Sequence, residues 1–117
     1  MDESFEKKEF IFLMKNYSKE KVEFGKDLDY LCFRNNCKKE NFLEDLFCYE
    51  NLNVVVKQKR NNEERFVLYY IYSEKRGRAY VLKFYADKIR VITIYPLGNK
   101  TLRKYNKRKF KNTEGLR

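Results

Sequence analysis

No histidine occurs among the 117 residues of this chain, so no side chain has an ordinary pKa near neutrality. Histidine-centred triads are excluded, and any acid–base chemistry must use Lys, Tyr, Glu or Cys groups shifted by their surroundings. No apolar run reaches membrane-spanning length, and residues 1 to 20 are studded with acids and lysines. The sequence therefore leads us to expect neither a transmembrane helix nor a secretory signal, and a cytoplasmic location. Cysteines are few and odd in number: Cys32, Cys37 and Cys48. Their C-x4-C and C-x10-C spacings, without histidine, match no common zinc pattern, so no metal and no cofactor is expected. Reduced thiols on helix faces are the simpler reading.

Positive charge is what the chain has in excess, with 27 Lys/Arg against 17 Asp/Glu. It is unevenly placed. Residues 1 to 50 carry nine cations and twelve acids (9 − 12 = −3), while residues 51 to 117 carry eighteen and five (18 − 5 = +13). Charge kept only for solubility would be dispersed. The asymmetry points to a basic working face on the second half, with nucleic acid the commonest partner. An anionic membrane surface or an acidic protein would also fit. The length suits a single domain, residues 1–117, with a core that needs no disulfides.

Residues 9–15 (EFIFLMK) are too few for periodicity to decide between a strand and a short helix. Ser18, followed by Glu20, Glu23 and Gly25, reads as a turn into a polar connection. Leu28, Leu31 and Cys32 at helical spacing predict a helix over 27–36, with Asp27 as its candidate cap. Phe42, Leu43, Leu46 and Phe47 form the stripe of a second helix over 39–49. After Asn53 the period changes to two, predicting strands over 54–60, 65–73, 78–85 and 88–95. The short gaps between them require antiparallel neighbours. The expected fold is therefore α+β: a mainly helical, slightly acidic part over 1–52, then a four-stranded antiparallel meander and a basic C-terminal helix or tail over 53–117.

In the last hairpin, a loop at Ala86–Asp87 puts Phe84 opposite Ile89, Lys83 opposite Arg90 and Arg78 opposite Tyr95. Like charges facing each other are unfavourable, so unless the register slips by one, Lys83 and Arg90 are screened by solvent or share an anion. The strand breaks at Pro96, and from Lys100 to Lys111 seven cations follow with no acid. Leu102, Tyr105 and Phe110 make one apolar stripe at helical spacing. That leaves Lys100, Arg103, Lys104, Lys107, Arg108 and Lys111 outward.

RGRAYVLKFYADKIRVITIYPLGNKTLRKY, residues 76–105, resembles the C-terminal half of the RelE/ParE superfamily of toxins, including its BrnT-like branch. ENLNVVVKQKRNNEERFVLYY, residues 50–70, fits that branch's first hairpin, and the similarity extends over roughly residues 27–105. The resemblance implies two helices before an antiparallel sheet and a metal-independent endoribonuclease. Such an enzyme cleaves mRNA, often on the ribosome, and is silenced by an antitoxin protein. It further implies that Arg78 is the arginine opening the third strand and that Lys57 and Lys59 are the early basic residues. Arg103 and Tyr105 match the late arginine and tyrosine, with Lys100 in the same turn. The chain departs from the branch where the last strand often ends in arginine, because Tyr95 and Pro96 stand there. ParE-like members of the superfamily poison gyrase and cut nothing.

RNA is cleaved without metal when its 2′-hydroxyl attacks the neighbouring phosphate in line, with the dianionic phosphorane stabilised and two protons moved. Arg78 and Arg103 are the candidates for the phosphorane, since a guanidinium fork donates to two oxygens and keeps its charge. Tyr95, Tyr105 or Lys57 would shuttle protons, with Glu63 or Glu64 as an alternative base. Lys57, Lys59, Lys83, Arg90, Lys100, Lys104, Lys107 and Arg108 are the expected backbone-binding cations. Three functions remain open on the sequence: an RNA-cleaving toxin, a nonenzymatic nucleic-acid-binding module, and a protein that grips an acidic protein partner.

Overall fold

The change of period near Asn53 is where the sheet takes over in the structure, a computed structural model that describes residues 2–105. The elements are β1 (Asp2–Phe5), α1 (Lys7–Met14), a 3-10 turn (Lys19–Lys21), β2 (Val22–Glu23), α2 (Leu28–Asn35) and α3 (Lys39–Phe47). They are followed by β3 (Leu52–Arg60), β4 (Glu63–Ser73), β5 (Arg76–Phe84) and β6 (Ile89–Pro96). A last helix, α4, spans 99–105.

The α+β class is as expected; the meander is not. The four long strands are antiparallel neighbours, but they form the middle of a six-stranded mixed sheet ordered β1-β3-β4-β5-β6-β2. At its margins β1 pairs antiparallel with β3, and β2 runs parallel to β6. Nor do just two helices precede the sheet, since α1 lies between the two edge strands. The physical reason is length. Strands of four and two residues are too short for alternation to register in sequence, and their pairing is set by tertiary packing.

Each helix over the sheet buries an i, i+4 pair: Phe10 and Met14, Leu31 and Asn35, Phe42 and Leu46. That spacing keeps both side chains on one helix face. They pack on Val55, Phe66, Leu68, Tyr70, Tyr80, Leu82 and Ile94, which line one side of the sheet. Asp27 does occupy the N-cap of α2 but makes no side-chain capping bond. Buried Asn35 instead anchors α2, its Nδ2 donating to the carbonyls of Leu31 (2.9 Å) and Ile94 (3.2 Å). We call this side the helix face.

The opposite, outer face is closed at one end by α4, whose Leu102 and Tyr105 pack on Ile71 with Leu97, Val54 and Tyr69 around them. β4 is therefore buried on both sides, which is why FVLYYIY reads as an unbroken apolar run. Gly77 makes the α4 contact possible. A Cβ there would lie 2.7 Å from Leu102, 2.8 Å from Leu97 and 2.9 Å from the Tyr70 carbonyl. Gly77→Ala is expected to cost about 1–3 kcal/mol by overpacking. Urea unfolding would show the loss, and faster hydrogen exchange over 99–105 would locate it.

The β3–β4 hairpin turns on Asn61 and Asn62, both at positive φ (52° and 66°), as a two-residue type I′ turn requires. In the last hairpin Phe84 faces Ile89 and Lys83 faces Arg90, as read from the sequence, and Leu82 faces Val91. Between Val81 and Leu82 the register then shifts, so that Tyr80 faces Ile94 and Ala79 faces Tyr95. The bulge displaces the expected Arg78–Tyr95 pair: Arg78 lies opposite Pro96 instead. Because strand side chains alternate, a slip of one puts Arg78 and Tyr95 on different faces.

Candidate nucleic-acid interface

Among the described residues Arg78 is the least accessible cation, at 8 % exposure. Its guanidinium lies under α3, where Nη1 meets Asp45 Oδ2 at 3.0 Å. The same carboxylate oxygen accepts the hydroxyls of Tyr72 and Tyr80. Arg78 Nη2 donates to Cys37 Sγ, and the rings of Phe42 and Tyr72 sit 5.4 and 5.3 Å from its Cζ. Tyr70 completes the cluster, its hydroxyl donating to the Asp45 carbonyl at 2.6 Å. This is a buried ion pair with its hydrogen bonds filled, tying α3 to β4 and β5. Its guanidinium cannot reach a phosphate without leaving Asp45.

The tyrosines around it share one electrostatic property. Burial, with the Asp45 charge nearby, holds the hydroxyls of Tyr70, Tyr72 and Tyr80 well above the usual tyrosine range. The unfolded chain ionises these groups from about pH 10 upward, whereas the folded chain keeps their protons. Their contribution to stability is thus complete below pH 10 and is lost as pH climbs past it. The slope approaches about 1.4 kcal/mol per pH unit for each tyrosine. Absorbance at 295 nm should show part of the tyrosine ionisation arriving together with cooperative alkaline unfolding.

The outer face is different in kind. Gln58 pairs with Arg65, and Lys83 with Arg90, so Arg65, Lys83 and Arg90 stand side by side on three adjacent strands. The expected Lys83–Arg90 repulsion is relieved by two glutamates. Glu63 takes Lys83 at 2.9 Å and Arg65 at 3.3 Å; Glu23 takes Lys88 at 2.9 Å and Arg90 at 3.3 Å. The hydrogen bond from Lys83 holds the Glu63 carboxyl below its ordinary range, and that from Lys88 does the same for Glu23. With exposed Arg60, and with Asp87 beside Lys88, this band has five cations and three acids, a surplus of two (5 − 3). Arg65 Nε remains a buried donor without a partner.

At the other end of the outer face, α4 exposes Lys100, Arg103 and Lys104. No acid occurs between Lys88 and Tyr105 in sequence, and none pairs with these three among the described residues. Between the two basic bands lie Tyr69 and Tyr95, both half-buried, with the Arg34 guanidinium 5.9 Å from the centre of the Tyr95 ring. The sequence asymmetry has become an asymmetry of faces.

The residues expected to cut RNA are therefore not gathered. Arg78 is locked on the helix face; Tyr95 and Arg103 belong to the outer side. Tyr105 is buried against Tyr69, ring centres 5.1 Å apart, with Lys104 Nζ 5.7 Å from its own ring. Of the expected binding cations, Lys83, Arg90, Lys100 and Lys104 share the outer side. Lys57 and Lys59 face the helix side, 3.0 and 3.9 Å from Glu64. Lys107 and Arg108 lie outside the described residues. Sequence reading passed over Asp45, although a carboxylate inside the Phe42–Leu46 stripe is a signal for a buried ion pair. It also passed over Arg65, which nothing in the pattern distinguishes from any other strand cation.

The three thiols are free, with Cys32 and Cys37 half-buried and Cys48 exposed. No helix among the described residues is long and apolar enough to cross a membrane. Comparison with known proteins adds no relative: no family model, no curated protein and no solved structure matches the chain. The likeness to the toxin superfamily rests on the sequence pattern alone.

Proposed function

We propose that the protein binds nucleic acid, RNA foremost, across the outer face of its sheet and α4, and holds the strand without cutting it. The observation that carries this reading is the pairing of two basic bands, with surpluses of two and three charges, across a shared apolar and aromatic floor. A phosphate backbone needs spaced cations, and its release of counterions is what drives such binding. Phenol rings between the cations suit the flat faces of bases.

Metal-independent cleavage, which the superfamily resemblance implies, needs an arginine and a proton shuttle within reach of one phosphate. Arg78 cannot join Tyr95 or Arg103 there, because the sheet lies between them and Asp45 holds the guanidinium. The reading proposed here takes up the binding that the resemblance implies and leaves out the cleavage.

The test is fluorescence anisotropy with a labelled mixed-sequence RNA in EDTA. Joint Lys83→Gln and Arg90→Gln substitution should weaken binding about tenfold, by removing two backbone contacts. Lys57→Gln, on the helix face, should leave it unchanged, and the RNA should run intact on a denaturing gel. Equal affinities for wild type and the outer-face double variant would refute the assignment of this face.

A further inference from the structure

α2 carries two aromatic side chains that the fold leaves in water: Phe33 at 84 % exposure and Tyr30 at 59 %. They stand three residues apart, so they are neighbours on one helix surface, turned away from the buried Leu31 and Asn35. Arg34 is the cation of α2, next in sequence to Phe33. The rim of this surface carries both signs, with exposed Asp27 and Asp29 on one flank and Arg34 on the other, so its distinguishing feature is the pair of exposed rings beside one guanidinium. It also adjoins the outer face, because Arg34, one residue after Phe33, reaches over the Tyr95 ring at 5.9 Å.

We propose that Phe33 and Tyr30 stack unpaired bases of a strand that leaves the outer face past Tyr95, making the protein selective for single-stranded nucleic acid. This rests on the outer-face reading given above. A duplex keeps its bases stacked on one another and presents only its backbone, so it gains nothing from these rings. A single strand gains one stacking contact per ring, and loss of such a contact typically lowers affinity by about five- to 150-fold.

The chain has no tryptophan, so Phe33→Trp places a lone indole reporter at the site. A 15-nucleotide RNA should quench its emission, and the matching 15-base-pair duplex should not. Phe33→Ala should weaken single-strand binding at least about fivefold and leave duplex binding unchanged; Tyr30→Ala should act in the same direction. An indole that stays bright while anisotropy reports bound single strand would overturn the proposal and leave the outer-face reading standing. Equal loss of single-strand and duplex binding in Phe33→Ala would do the same. So would sedimentation showing that Phe33→Ala abolishes self-association while RNA affinity holds, since the rings would then seat a second copy. Wild-type protein that binds neither RNA would overturn both readings together.

Discussion

Asp45→Ala will lower the stability of this protein by about 3–5 kcal/mol, the usual cost of leaving one partner of a buried ion pair uncompensated. The Arg78 side chain is 10 % exposed and that of Asp45 17 %, so water cannot take over the lost contact. The removed oxygen also satisfies Tyr72 and Tyr80, whose hydroxyls would be left in an apolar setting. A drop of this size in a domain of 117 residues corresponds to a fall in Tm of roughly 10–20 °C. Asp45→Asn should recover only part of it, because a neutral acceptor leaves the guanidinium charge buried. Replacing both partners, Asp45→Leu with Arg78→Met, should cost less than the two single changes added together, since an apolar pair removes the desolvation along with the attraction. Thermal melts of the four proteins give the coupling directly. Any loss of RNA binding in Arg78→Ala is then expected to track its unfolded fraction. A folded Arg78→Ala protein that fails to act on RNA would restore Arg78 to the functional site.

Joint substitution of Lys100, Arg103 and Lys104 by glutamate should weaken RNA binding at least about a hundredfold at 0.1 M salt. The change turns a surplus of three positive charges on α4 into three negative ones. All three residues are exposed, while Leu102 and Tyr105, which dock the helix, stay in place. Circular dichroism and Tm should be nearly unchanged, because isolated surface charges contribute little to stability. The contrast matters: the Asp45 variant tests what holds the fold, and the α4 variant tests what the fold presents. Unaltered affinity would remove α4 from the interface.

Sequence patterning carried the middle of the fold and lost its margins. β3 to β6 and the helices α2 and α3 were legible because each is long enough for a period of 2 or 3.6 to repeat. Residues 99–105 were legible as a helix from Leu102 and Tyr105. The run around Phe10 is ambiguous in sequence because its packing on β3 decides it as α1, and β1 and β2 carry no signal. The bulge near Ile92 is the instructive error. One extra residue left Phe84–Ile89 and Lys83–Arg90 in register but sent Tyr95 to the face opposite Arg78, and no local feature announces it. Burial was equally hard to read. Arg78 looks in sequence like one cation among many, and only α3 folding over β5 brings Asp45 to it. The basic character of the second half was plain; that it would gather on one side of a sheet needed the topology. Phe33, which its helical pattern left without comment, proves to be the most exposed large apolar side chain of the described residues.

The most direct test of the account is the salt dependence of wild-type RNA affinity, followed by anisotropy from 50 to 300 mM potassium chloride. If four or more cations of the outer side contact phosphates, the plot of log affinity against log salt should be linear with a slope of about −3 or steeper. A shallow slope, or affinity too weak to measure at the lowest salt, would contradict the claim that this face is built to hold a polyanion.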